Sequence, residues 1–340
     1  MEFTYYKTFP LELKEEWNQL LTKSANNVPF LRFEYLADWW HTRGGGEWPS
    51  ETELAILVAY EGSELVGIAP LFLTEHEGRK KLMLLGCIEI SDFLDLIVSV
   101  DRSRVFIEAL LNYILNQLMP QGIHSVDLYN LLEDSPTVQQ LSEAGKAVGF
   151  EVNKTVLQHA PFISLPGDWE LYLESIDKKQ RHEIRRKMRR AAEADASVEV
   201  YFTSDQSNVE EDTQAFLGLM AQDPEKAVFL TPAMREQFKI SIQRAFDNGW
   251  LQLAFLQVDG ENAAAYHNMD YQNRIWVYNS GLDRRFMEYS PGWVLLGHLL
   301  MWANENKRSA FDFLRGNEDY KYKFGAVDRF VCRVTLTKKI

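Results

Sequence analysis

The chain has 340 residues, 46% hydrophobic and 13% aromatic, enough apolar material for packed cores, so the composition excludes a disordered polymer and the length suggests two domains. Its 49 acidic against 36 basic residues leave a net charge of −13, which opposes the extended basic footprint that DNA or tRNA requires. No run approaches the roughly 18 apolar residues of a membrane span, no secretory signal opens the chain, and the two cysteines, Cys87 and Cys332, read as thiols in a reducing compartment; a cytoplasmic protein is expected.

Residues 11–24 and 33–41 read as helices with apolar stripes. Strand-like runs at 54–60 and 65–73 flank the turn Glu61-Gly62-Ser63-Glu64. A strand over 93–98 leads into an amphipathic helix over 103–119, with Phe106, Leu110, Ile114 and Leu118 on one face. A short strand at 124–130, a helix near 137–148 and a strand from Phe150 complete the first half. Breaks at Ala160-Pro161 and Pro166-Gly167 place a boundary near residue 160. A short helix over 169–176 then precedes 178–190, KKQRHEIRRKMRR, with eight basic residues and one glutamate. Its apolar stripe, Ile184, Met188 and Ala191, suits docking of one helix face. Strands at 250–258 and 263–270 come next, joined by Asp259-Gly260-Glu261-Asn262, then a strand at 274–280, a helix over 291–306 and a short strand at 309–314. The order repeats that of the first half, and so does the text: VAYEGSELVGIAP against LQVDGENAAAYHN, and HSVDLYNL against SAFDFLRG. A repeat of this length implies two similar α/β lobes.

Residues 263–300 carry the most chemistry. An antiparallel strand pair ends in a loop holding Arg284 and Arg285, and the loop enters a helix at Ser290-Pro291-Gly292. Serine suits the N-cap, proline the first helical position, and glycine admits a ligand to the backbone. Such a start suits either a pyrophosphate or an ordinary capped helix. The first half has Asp101 at the equivalent helix start and no glycine; a carboxylate there repels phosphate. The seven histidines are scattered, so no metal site is expected, and no G-x-S-x-G, P-loop, H-E-x-x-H or C-x-x-C pattern occurs.

Strand, strand, phosphate loop, helix, strand resembles the cofactor half of GNAT acyltransferases. FDFLRGNEDYKYKFGA (311–326) and the basic run 178–190 are similar to the CelD-like (BioF-like) acetyltransferase family of that superfamily. Two such lobes in tandem also resemble Fem-type transferases. The loop 284–292 departs from the usual Gly-rich pattern. The resemblance implies two tandem lobes of α/β (α+β) class, each a mixed, mostly antiparallel sheet flanked by helices. Residues 1–160 would form a degenerate, acceptor-side lobe, and 161–340 the lobe that takes acetyl-CoA or another acyl-CoA as donor. It further implies direct acyl transfer to a small-molecule or sugar-linked acceptor, such as a cell-envelope or exopolysaccharide precursor. The alternatives are a Fem-like use of aminoacyl-tRNA, which the acidic balance disfavours, and a non-catalytic sugar-nucleotide-binding protein.

Within that frame the catalytic candidates are His267, Tyr278, Asp312, Lys321 and Lys323. His267 would serve as base or pack in the sheet, and Tyr278 would protonate the thiolate or pack as an aromatic. Asp312 and Arg315 would face the cleft or form an ion pair. Lys321 and Lys323, two apart in an extended segment, would face one surface together. Asn279, Arg284, Arg285, Ser290 and Gly292 are expected at the donor. Arg181, Arg185, Arg186, Arg189 and Arg315 are expected at an anionic acceptor, unless the basic helix is simply a solvated face.

Overall fold

In a computed structural model, which describes residues 1–339, the chain divides into two units. One comprises residues 1–158 and the C-terminal stretch from Arg329; the other comprises residues 159–328.

The first unit begins with β1 (Glu2–Tyr6), α1 (Lys14–Leu21) and α2 (Phe33–Gly46), succeeded by β2 (Glu53–Leu54), β3 (Ile56–Glu61), β4 (Glu64–Ala69), β5 (Leu71–His76) and β6 (Arg79–Leu84). It continues through β7 (Ile97–Val98), α3 (Ser103–Tyr113), β8 (Ser125–Leu132), α4 (Pro136–Val148) and β9 (Phe150–His159). Two sheets result. Their orders are β1-β3-β4-β7 and β2-β5-β6-β8-β16-β9, where β16 is the last strand, Phe330–Lys338. β16 lies antiparallel to β8. A division at residue 160 therefore needs correction at its far end, since the C-terminal strand joins the first unit.

Three further expectations change here. The single run 65–73 is cut at Pro70 into β4 and β5, which belong to different sheets; proline has no N–H for a continuous ladder. Of 93–98 only Ile97–Val98 is strand, and the helix from Ser103 is α-helical only to Tyr113 before widening into a π turn over Ile114–Leu118.

The second unit runs β10 (Phe162–Ser164), α5 (Trp169–Ser175), α6 (Lys178–Ala192), β11 (Val198–Phe202), α7 (Val209–Met220), α8 (Pro224–Phe229) and α9 (Pro232–Asp247). Then come β12 (Leu251–Val258), β13 (Glu261–Tyr271), β14 (Arg274–Leu282), α10 (Pro291–Glu305), β15 (Ala310–Asp312) and α11 (Asp319–Lys323). One mixed sheet, β10-β15-β14-β13-β12-β11, organises it. The β12–β13 turn places both Asp259 and Gly260 at positive φ, 50° and 82°, the backbone that a tight hairpin requires. A core of Tyr172, Ile184, Ile275, Val294, Leu295, Leu299 and Phe311 packs α5, α6 and α10 against one sheet face. The expected stripe docks α6: Ile184 and Ala191 are buried, and Met188 crosses α10 at Gly297. A Cβ at Gly297 would stand 2.8 Å from the Met188 sulfur, so glycine is what admits that close approach.

Both units are mixed sheets flanked by helices, as the sequence led us to expect. Among the described residues no helix is long and apolar enough to cross a membrane, and no group of three His, Cys, Asp or Glu side chains is arranged to hold a metal ion.

Candidate functional site

The site begins where the second unit's parallel strands part. β14 pairs with β13 along its length, from Tyr271↔Arg274 to Ala264↔Leu282. On its other side it pairs with β15 only from Arg274↔Ala310 to Trp276↔Asp312. Past Trp276 the edge of β14 toward β15 has no ladder partner among the described residues. Ligands of α/β sheets bind at the carboxyl ends of parallel strands for this reason: unpaired backbone and helix starts converge there.

Beyond β14 the chain enters a helix without a conventional cap. Asp283 caps a 3-10 turn over Arg284–Tyr289 by accepting from the Arg285 N–H at 2.9 Å. Ser290 then adopts the left-handed conformation at φ 53°, ψ 50°, and its hydroxyl caps none of the first N–H groups of α10, which begins at Pro291. The expected serine cap is thus absent. At Gly292 an added Cβ would meet only the Leu282 methyl, at 3.5 Å, so the position has open space in front of it.

Arg285 is not free for a phosphate. Its guanidinium holds Asp283 at 2.8–2.9 Å and Glu261 at 2.9 Å, and the Arg285 side-chain and backbone hydrogen bonds hold the Asp283 carboxyl below its ordinary range. Arg284 instead lines a cavity of about 410 Å³ with Leu219, Met220, Lys226, Leu282 and Met287. Lys226, which sequence reasoning missed, donates to the Asn279 side-chain oxygen at 2.9 Å and to the Ser280 carbonyl at 2.6 Å. Burial pushes its ammonium pKa down. The signal for its helix was legible as Asp223-Pro224: Asp223 accepts from the Glu225 and Lys226 N–H groups, with proline at the first position. The approach of α7 to β14 is close. A Cβ on Gly281 would stand 2.3 Å from the Met220 backbone nitrogen.

His267 lies elsewhere. It is fully buried, edge-on to Phe216, Phe238 and Tyr278 with ring centroids 5.3–6.4 Å away, and neither ring nitrogen has a partner among the described residues. Desolvation lowers its pKa from 6.5 to about 3. A neutral imidazole enclosed by rings has no route to a reacting atom. Tyr278 packs in the same cluster, its ring tilted against Phe238 at a centroid distance of 5.6 Å. Asp312 is buried and accepts the Leu314 N–H at 3.0 Å, closing the turn after β15.

The lysine pair departs most from expectation. DYKYK is the helix α11, not a strand, so residues two apart diverge. Lys321 is buried and donates to the carbonyls of Phe313, Arg315 and Gly316 at 2.8–3.1 Å, with Glu318 at 2.9 Å. Lys323 is exposed. It lines a second cavity, about 590 Å³, with Lys179, His182, Arg186, Lys187 and Trp293. The other basic-helix candidates point away from that cavity. Arg185 pairs with Glu170, Arg189 lies 4.0 Å from Glu193, and Arg181 reaches the Leu173 carbonyl at 3.4 Å.

Residues 178–322 match the family model described as the acetyltransferase (GNAT) domain. The second unit carries a GNAT domain. The match begins with α6 and ends inside α11, so it spans the basic helix, the parted strands and the buried lysine. A GNAT domain implies an acyl-CoA donor in general. Among solved structures, FemX is similar over 97% of this chain and 97% of its own, with TM-score 0.66 and 12% identity. The structure of L-PGS from Bacillus licheniformis is similar over 96% of this chain and 91% of its own, with TM-score 0.54 and 13% identity. A tandem GNAT protein from the clavulanic acid biosynthesis pathway is similar over 100% and 99%, with TM-score 0.53 and 14% identity. At such identities the likeness is one of fold. No curated protein sequence matches the chain.

Proposed function

We propose that the GNAT domain transfers an acyl group from acetyl-CoA or another acyl-CoA directly to an amine or hydroxyl of a small-molecule or sugar-linked acceptor. One observation carries the reading: β14 and β15 separate after Trp276 and Asp312, beside the uncapped start of α10. An extended donor arm bearing amides can add to the open edge of β14 as a further strand, with its thioester over the parted strands. The acceptor nitrogen or oxygen attacks the thioester carbonyl carbon, and negative charge collects on the carbonyl oxygen. The C–S bond then breaks, the thiolate leaves, and the acceptor's proton passes to the thiolate or to water. Lys226, held against Asn279 and Ser280, supplies a preorganised cation at that edge. Asp312, Arg315 and Lys321 shape the end of β15, and Lys321 acts as a positioning residue. His267 and Tyr278 belong to the core behind the strands.

A cell-envelope or exopolysaccharide precursor as acceptor is supported by the resemblance of residues 311–326 to the CelD-like family. Transfer from aminoacyl-tRNA is opposed by the net charge of −13. Calorimetric titration with CoA, with thiol release from acetyl-CoA then measured over a panel of amino- and hydroxy-sugars, tests the proposal. A protein that neither binds CoA nor releases thiol with any acceptor refutes it.

A further inference from the structure

The titratable groups beside the parted strands differ in what already holds them. The Lys321 ammonium is tied to the carbonyls that follow β15, and Lys226 donates to Asn279 and Ser280 in the far half of β14. Asp223 caps α8 by accepting from the Glu225 and Lys226 N–H groups. Glu318 has no such duty. It occupies the cap position of α11, yet its side chain accepts from none of the helix's N–H groups. Its Oε2 lies 2.9 Å from the Lys321 ammonium, and the side chain stays 58% exposed. Gly316 fixes where that carboxylate goes. Its φ of 106° favours glycine, and an added Cβ would stand 2.5 Å from Oε2 and 3.0 Å from Oε1. The carboxylate is therefore folded back over the turn at the end of β15.

The charge of Glu318 also reaches β14. Burial lowers the Lys226 pKa, the carboxylates of Asp223 and Glu318 oppose that shift, and the Lys321 ammonium adds to it. Burial raises the Tyr266 and Tyr320 phenols, and Glu318 raises both further; Tyr266 is paired with Ser280 in the β13–β14 ladder. Both phenols keep their protons at neutral pH, so neither serves as a base. Glu318 combines what a proton acceptor needs: an oxygen not held by a helix N–H, access to water, and a place between the ends of the two strands.

Resting on the acyl-transfer reading, we propose that Glu318 is the general base that takes the acceptor's proton. The acceptor's lone pair forms the bond to the thioester carbon, the carbonyl π pair moves to oxygen, and the N–H or O–H proton passes to Glu318 Oε1. When the C–S bond breaks, its electron pair leaves on sulfur. Glu318 then returns the proton to the thiolate or to water, which restores the carboxylate. Lys321, held to Oε2, keeps the group oriented between turnovers.

The test compares wild type with Glu318→Gln and Glu318→Ala. Glutamine keeps an oxygen for the Lys321 ammonium, so the fold is retained, and melting curves check both variants. Thiol release from acetyl-CoA is followed with glucosamine and other amino- and hydroxy-sugars as acceptors. Each variant should lose at least about a hundredfold in kcat, the effect of removing a general base, while CoA affinity by calorimetry stays unchanged. Added acetate should restore turnover in Glu318→Ala, where it fills the vacated space, and do nothing for Glu318→Gln. A purely structural glutamate gives no such rescue. Undiminished kcat in Glu318→Gln, or a loss in Glu318→Ala that acetate does not lift, overturns the assignment and leaves acyl transfer standing. A wild type that binds CoA but releases thiol with no acceptor has no base at work, and the assignment falls. A wild type that neither binds CoA nor releases thiol removes the base and the acyl-transfer reading together.

Discussion

Replacing Lys321 with methionine separates a positioning lysine from a catalytic one. The side chain is 2% exposed, and its ammonium serves three backbone carbonyls, Phe313 at 3.1 Å, Arg315 at 2.8 Å and Gly316 at 3.1 Å. Methionine matches the length of the stem but donates nothing. The Phe313 bond is buried, so its carbonyl bears a desolvation penalty of about 1–3 kcal/mol, and the two part-buried bonds contribute about 0.5–1.5 kcal/mol each. Glu318 is 58% exposed, regains water, and adds little. The expected destabilisation is therefore about 3–5 kcal/mol. In a unit of this size that lowers Tm by roughly 10 °C, at about 2–4 °C per kcal/mol. Thermal and urea melts monitored by circular dichroism measure it. A catalytic lysine facing open space predicts the opposite pattern, a kcat loss of about 10²–10³ with Tm intact. If Lys321→Met melts like wild type while turnover collapses, the positioning argument is wrong.

His267 gives a pH signature. Its folded pKa is about 3 against 6.5 unfolded, so between those values the unfolded chain binds the extra proton, and stability falls as pH falls through 6.5. The group should remove about 2 kcal/mol between pH 7 and pH 5; His267→Leu should flatten that limb in pH-dependent melts without reducing acyl transfer at neutral pH, and an unaltered acid limb refutes the assignment. Gly281→Ala forces a Cβ to within 2.3 Å of the Met220 backbone and should destabilise by about 1–3 kcal/mol, whereas Gly292→Ala, with only a 3.5 Å methyl contact, should be tolerated. Equal melts for the two alanine variants would falsify the claim that α7 presses on β14.

The sequence disclosed most of what local chemistry alone determines. Asp259-Gly260 fixed one hairpin, Pro291 marked the start of α10, and the stripe Ile184, Met188 and Ala191 read correctly because helical period and burial coincide. Misreadings arose where tertiary context intervenes. Tyr320-Lys321-Tyr322-Lys323 alternates like a strand, yet Lys321 turns inward because three carbonyls after β15 need a donor, and one helical turn supplies it. Ser290 looked like a cap, but the 3-10 turn before it delivers the chain in a left-handed conformation. Lys226 was illegible as a site residue, because nothing in Asp223-Pro224-Glu225-Lys226 indicates that its ammonium reaches a strand more than fifty positions away, at Asn279.

The two units themselves argue for a single donor site. In the first, β6 and β8 are parallel over Lys81–Met83 and Ser125–Asp127, matching the pairing of β14 with β15. There the chain fills its own gap. Leu94 lies parallel to Leu131, its N–H donates to the Asn130 carbonyl at 2.9 Å, and the Asn130 amide holds the Ile88 and Ser91 carbonyls at 2.8 Å. In the second unit no described segment takes the corresponding place between β15 and the far half of β14. The turn after β15 gives its carbonyls to the Lys321 ammonium, which satisfies backbone without occupying the edge of β14. One groove is closed by protein, whereas in the other the turn's carbonyls are satisfied by a side chain and no described segment pairs with the far half of β14. Titration should therefore find one equivalent of CoA per chain, and at 100 times Kd that ligand should stabilise the protein by about 2.7 kcal/mol. Gly292→Asp, which places a carboxylate at the start of α10 as Asp101 does near α3, should abolish that gain through repulsion. Two equivalents per chain, or full stabilisation of a folded Gly292→Asp variant, would place the donor somewhere other than the parted strands.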